Sequence, residues 1–296
     1  MVQRNGAPSQ SKDNAFWWGA AFATSGYAVV LPDYLGLGSS PGFQAYLHAK
    51  SEATCVVDAL RAARALCASN HVTLNGQLFL TGYSQGGHAT MAAHRELEAF
   101  HADEFTVTAS APCASAYDSG GVQVDDVLAG HPLSAPGYFL FLLTSWLPIY
   151  HLGDTLEELL AEPYRRTGPP LVDKAVSEGV TIDQITAVMP PVESFNILRP
   201  DLQEDFRTNV HNPIRQAFLD NDVYAWTPKA PVKMFHCRGD HNAIFANAEV
   251  AYQSFTNRGA CCVSIVDPGA PVELDHQGCY LPSLRGVLAW FETLRQ

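Results

Sequence analysis

Positive charge is scarce. The 296 residues hold 18 Lys and Arg against 30 Asp and Glu, a formal net charge of −12. Binding a phosphate backbone needs a basic footprint that this balance does not supply, so nucleic acid is not an expected partner and anionic substrates are mildly disfavoured. Long apolar runs are missing too. The best candidate, residues 137–150, is too short for a membrane span and is interrupted by Thr144, Ser145 and Pro148, so a mostly buried helix explains it at least as well as a lipid-facing lid. No CxxC pair with zinc-like spacing occurs, and no repeat or low-complexity tract stands out.

What is present is a chain that is 47% hydrophobic and 16% charged, enough to bury one large core, alone or with an insertion. Seven cysteines cannot all pair within it. Cys55 and Cys67 fall on one predicted helix, about 18 Å apart, too far for a bridge. Cys261 and Cys262 fall in a predicted strand, where adjacent side chains point to opposite faces. Buried free thiols are the general expectation.

Apolar spacing predicts helices over 14–24, 45–67, 246–255 and 281–294, and strands over 27–31, 77–81, 105–109 (ending before Pro112), 232–237 and 261–266. Strands alternating with helices imply an α/β protein with a mostly parallel sheet covered on both faces. Residues 127–227 break the rhythm, with no convincing strand and helical pieces over 154–162 and 171–180. The expected organisation is a core in two parts, 1–126 and 228–296, separated by a helical cap insertion at 127–227.

Two stretches fit glycine-x-serine-x-glycine. In the first, 38–42, Ser40 is followed by Pro41, which lacks the N–H that a nucleophile's successor lends to an oxyanion. It reads as a loop. In the second, Ser84 stands between an apolar run and a stretch rich in helix formers. Strand, sharp turn and helix are the context of a nucleophile elbow, in which Gly82 and Gly86 are expected to let the two backbones pass closely.

The runs GYAVVLPDYLGLG (26–38) and GYSQGG (82–87), with the tail motifs below, resemble the α/β-hydrolase superfamily, and within it the secretory-lipase-like carboxylic ester hydrolases. The resemblance covers about two-thirds of the chain and is weak in 127–227. It implies a serine hydrolase with triad order serine, acid, histidine. His276, in ELDHQG (273–278), is the one histidine between the last predicted strand and the final helix, and is the expected base; His241 is the competitor. Asp240, in CRGDHN (237–242), matches the family's acid position, with Asp118 as the alternative and Asp267 and Asp275 lying near the histidine in sequence. Cys237 and Cys279 each lie three residues from these groups, which leaves a bridge between them open.

The expected activity is hydrolysis of a small neutral acyl ester: Ser84 attacks, His276 shuttles the proton, Asp240 orients His276, and the Gln85 N–H binds the oxyanion. No metal or organic cofactor is needed. Another acyl transfer (thioesterase, peptidase or acyltransferase) and a catalytically inert hydrolase-fold fragment or binding protein are the alternatives. The family's second oxyanion donor follows its third strand. Residues 1–9 resemble the continuation of that loop, so strands one to three are expected to be missing. A fragment of a longer enzyme, direct closure of the flanking strands, and a second copy of the chain filling the gap as a homo-oligomer are the three explanations. Localisation cannot be read, since a chain starting inside a domain would have lost any signal peptide.

Overall fold

The computed structural model describes residues 14–133, 135–178, 182–189, 192 and 196–296. The expectation for residues 1–9 lies outside them. Among the described residues the sheet has four strands, β1 (Phe79–Tyr83), β2 (Ala109–Cys113), β3 (Val232–Phe235) and β4 (Val263–Val266), all parallel and side by side in chain order. The chain divides into two compact units.

One unit comprises 14–32, 49–118 and 222–296 and carries the sheet. Its helices are α1 (Asn14–Thr24), α2 (Ala49–Ser69), α3 (Gln85–Phe100) and, towards the C-terminus, Ala246–Asn257 and Tyr280–Leu294. Period-2 alternation sorts the core onto two faces. Ala109, Ala111, Cys113 and Phe235 pack with Trp18 and Phe22 of α1 and with Val287 and Phe291. Val232 and Met234 point the other way, to Ala53, Met91, Ala92, Ala251 and Phe255. All five β2 residues are buried, as a central strand of a doubly covered parallel sheet requires.

The other unit comprises 33–48 and 119–221 and is helical: α4 (Val124–Leu128), α5 (Pro136–Tyr150), α6 (Tyr164–Glu178), α7 (Ile182–Val188), α8 (Pro200–Thr208) and α9 (Pro213–Asp220). Its core is built on α5, where Leu140, Leu143 and Trp146 are fully buried. The described part of the 33–48 segment joins it through aromatic packing: the Phe43 and Phe141 rings lie 4.5 Å apart, and Trp146 Nε1 donates to the Tyr46 carbonyl at 3.0 Å.

Several elements differ from their sequence reading. Residues 27–31 form no strand among the described residues; Val29 and Leu31 are exposed, and a strand without a partner gains no ladder. Strand β2 starts where 105–109 was expected to end, and it runs through Pro112. Proline is tolerated because its missing N–H falls on the β3 side, where pairing joins Ser110 to Val232 and Cys113 to Phe235 and skips Pro112. The helix expected over 154–162 is reduced to one 3₁₀ turn, Leu156–Glu158.

The thiols also depart from expectation. Of the five free cysteines only Cys113 is buried, and Cys261 and Cys262 are exposed. They stand at a bend before β4 rather than within it, so their sulfurs do not alternate but lie 3.1 Å apart. Oxidised glutathione is expected to close them into a ring disulfide, releasing two thiols and lowering the intact mass by about 2 Da by thiol–disulfide exchange. Serine at either position should abolish the change.

Candidate active site

β1 ends at Tyr83 and α3 begins at Gln85, leaving Ser84 alone at the bend with φ 57° and ψ −118°. A positive φ in a residue bearing a Cβ costs on the order of 1–3 kcal/mol and persists only where the surroundings enforce it. Here they do. The Ser84 N–H donates to the Cys113 carbonyl of β2 (3.0 Å), and the Ser84 carbonyl accepts the N–H groups of Gly87 (2.9 Å) and His88 (3.2 Å).

The glycines divide this task differently from the sequence reading. A Cβ on Gly82 would stand 2.3 Å from the Gly86 carbonyl oxygen, and one on Gly87 would stand 2.4 Å from the Cys113 carbonyl oxygen. A Cβ on Gly86 would meet nothing within 4 Å. Gly86 thus contributes a close backbone but needs no missing side chain. Gly87→Ala is expected to lower Tm by several degrees, whereas Gly86→Ala should leave it unchanged or raise it, since alanine is favoured over glycine by about 1 kcal/mol in a helix. Thermal denaturation of the two variants decides.

Ser84 Oγ lies 2.9 Å from His276 Nε2, and His276 Nδ1 lies 2.7 Å from Asp240 Oδ2. All three residues belong to the sheet-bearing unit. Asp240 follows β3, is 1% exposed, and accepts the N–H groups of Asn242 and Ala243 on Oδ1, both at 2.9 Å. His236, fully buried at the end of β3, donates from Nε2 to the Ala243 carbonyl (2.6 Å) and stands 3.5 Å from Asp240 Oδ2. Burial pushes the Asp240 carboxyl up, but hydrogen bonding and charge from His236 and His276 outweigh it and hold the group well below the usual carboxylate range.

The loop bearing His276 is anchored from three sides. The Tyr83 hydroxyl donates to the His276 carbonyl. Burial first, then the charge of Asp240, drive that hydroxyl far above its ordinary pKa, so it stays a donor. Gly239 lies against the backbone of Leu274, where a Cβ would come within 2.8 Å of the carbonyl oxygen. Cys237 and Cys279 form a disulfide. That bridge ties the loop of Asp240 to the loop of His276. Serine at both positions is expected to destabilise the fold by about 4 kcal/mol, from the loop-closure relation for a separation of 42 residues. It should also lower kcat below the new melting temperature. Equilibrium unfolding and ester turnover measure the two effects.

The other sequence candidates lie apart from this chain of contacts. Asp118 is buried and its N–H donates to Asn247 Oδ1. Asp275 caps its own loop by accepting the Gly278 N–H (2.7 Å), and Asp267 accepts the Gly269 N–H (2.9 Å). His241 is exposed, and the Ser40 hydroxyl accepts the Gly36 N–H in a loop of the helical unit. A second serine–histidine–carboxylate chain, Ser110–His94–Glu98, is sealed: Ser110 and His94 are fully buried, and Glu98 accepts the N–H groups of Lys229 and Ala230. It ties α3 and β2 to the segment entering β3.

Sequence reasoning missed the supports: Tyr83, His236, and a buried pair, Glu52 and His88, behind the elbow. His236 carried a signal in its spacing of four from Asp240. Tyr83 and Glu52 carried none. Among the described residues no group of three or more His, Cys, Asp or Glu side chains is arranged to hold a metal ion. No described helix is long and apolar enough to cross a membrane.

Fold and comparisons together make this chain a hydrolase of the α/β-hydrolase superfamily, of the esterase and lipase kind. Residues 19–123 match the secretory lipase family. The rice cell wall degrading esterase of Xanthomonas oryzae is similar in structure, with a TM-score of 0.76 and 25% identity, over 88% of this chain and 71% of that one. A putative hydrolase of Legionella pneumophila shares the fold with a TM-score of 0.84 and 24% identity, over 99% and 77% of the two chains. Lipase A of Candida antarctica in its closed state shares it more distantly, with a TM-score of 0.62 and 17% identity over 84% and 55%. No curated protein matches the sequence.

Proposed function

We propose that the protein is a serine carboxylic ester hydrolase working through an acyl-enzyme on Ser84. The observation that carries this reading is the unbroken line from Ser84 Oγ to His276 Nε2 and from His276 Nδ1 to Asp240 Oδ2. A serine hydroxyl is a weak nucleophile unless a base takes its proton as it attacks. His276 takes that proton through Nε2 and gives it to the departing alcohol; Asp240 keeps the Nδ1 proton in place and stabilises the imidazolium. The developing oxyanion is met by the Gln85 N–H at the N-terminus of α3, where the helix dipole favours negative charge. Water, activated by His276 in its turn, then releases the acid.

The substrate class is a neutral acyl ester, in keeping with the net charge of −12 and with the esterase and lipase among the similar structures. The enzyme is secreted, as the name of the matched family and the Cys237–Cys279 disulfide suggest. A series of nitrophenyl esters of rising acyl length, set beside the matching anilide and thioester, tests the reading. Turnover confined to esters is expected; faster cleavage of the anilide or thioester would overturn it.

A further inference from the structure

Glu52 lies in the first turn of α2 and is fully buried. A carboxylate removed from water costs several kcal/mol unless it is paired and its oxygens are satisfied. Both oxygens of Glu52 are satisfied from α3. Oε1 accepts from the side-chain amide of Gln85 at 2.8 Å, and Oε2 lies 2.6 Å from Nδ1 of His88, itself fully buried. A carboxylate only accepts, so His88 carries its proton on Nδ1.

Gln85 and His88 are three residues apart at the start of α3 and so share one face of its first turn. One side chain from α2 grips both. Elsewhere the two helices meet through apolar contacts that include Ala49, Ala53, Met91 and Ala92, and through an ion pair between Lys50 and Glu96 further along α3. The polar clamp is thus set at the end of α3 adjoining Ser84.

We infer that Glu52 is a positioning residue for the hydrolysis: by holding the Gln85 side chain it fixes the direction of the Gln85 N–H towards the oxyanion. This rests on the Ser84 reading above. The Ser84 carbonyl, held by the N–H groups of Gly87 and His88, shares one peptide plane with the Gln85 N–H and sets its general direction; the Glu52 contact holds the Gln85 end of that peptide and keeps the plane from tilting. An oxyanion donor acts only in the transition state, so a misaimed N–H lowers kcat and leaves KM alone.

The variants are Glu52→Gln, Gln85→Met and the two combined, each assayed for ester turnover at a temperature well below its own melting point. Each single change is expected to lower kcat roughly 10–100-fold, part of the 10²–10³ that a whole donor is worth, with KM within about twofold. The combined variant should lose little more than the worse single one, because both break the same contact. A purely structural role would instead lower the melting temperature and leave kcat unchanged, or give effects that add, and either result overturns the inference. Where Glu52→Gln fails to fold, Gln85→Met decides alone: kcat within about twofold of wild type refutes the clamp. Wild-type protein that turns over no ester and takes no phosphonate on Ser84 would instead refute the Ser84 reading.

Discussion

Replacing Ser84 with alanine is expected to lower kcat by about 10⁴–10⁶, and to abolish the single mass adduct that an organophosphonate leaves on the wild-type chain. The effect is large because no other group described at the site stands where Ser84 Oγ does, 2.9 Å from His276 Nε2. Folding should be undisturbed, since the bend is held by backbone contacts: the Ser84 N–H to Cys113, and the Ser84 carbonyl to Gly87 and His88. Alanine keeps all three. It must also take up φ 57°, as serine does, so the strain is common to both residues. An adduct surviving in Ser84→Ala would place the nucleophile elsewhere.

Asp240→Asn should cost about 10⁴ in kcat with little change in melting temperature, and the geometry says why. Oδ1 of Asp240 accepts two backbone N–H groups, so asparagine would set its carbonyl there and turn its amide NH₂ towards His276. Nδ1 of His276 would then have to accept, moving the imidazole proton to Nε2, where it faces Ser84 and cannot receive another. The base is spoiled without being moved. In the wild type the Asp240 carboxyl is held well below the usual range, so it stays ionised through the mildly acidic region. Loss of kcat/KM in the mildly acidic region is therefore not expected to come from protonation of Asp240. An Asp240→Asn enzyme retaining wild-type turnover would sink its assigned role.

Much of the fold was legible because local chemistry and burial agreed. The helix read over 14–24 has those bounds, and the one read over 281–294 starts one residue earlier, at Tyr280. The elbow was legible too, since an apolar run, glycines and a run of helix formers each constrain their own neighbourhood. Reading failed where a residue's partner decides its state. Pro112 looked like a strand stop, yet it sits in β2 because the N–H it lacks falls where pairing with β3 is skipped. Residues 27–31 have strand composition but no ladder. Gly86 and Gly87 are indistinguishable in sequence, and only the Cys113 carbonyl beside one of them tells them apart.

The candidate site divides along the same line. By itself the sequence determined the alternating architecture, the elbow at Ser84, the absence of a long apolar span and the short set of histidines and aspartates able to serve it. Each follows from spacing along the chain, which is a local property. Tertiary structure decided the rest: Asp240 rather than Asp118 beside His276, the disulfide that joins their loops, and the buried Glu52 behind Gln85. His276 meets Asp240 across 36 residues and Ser84 across 192, and Glu52 reaches Gln85 across 33. Contacts over such separations arise from the packing of helices on the sheet, and no pattern within a short window of sequence encodes them.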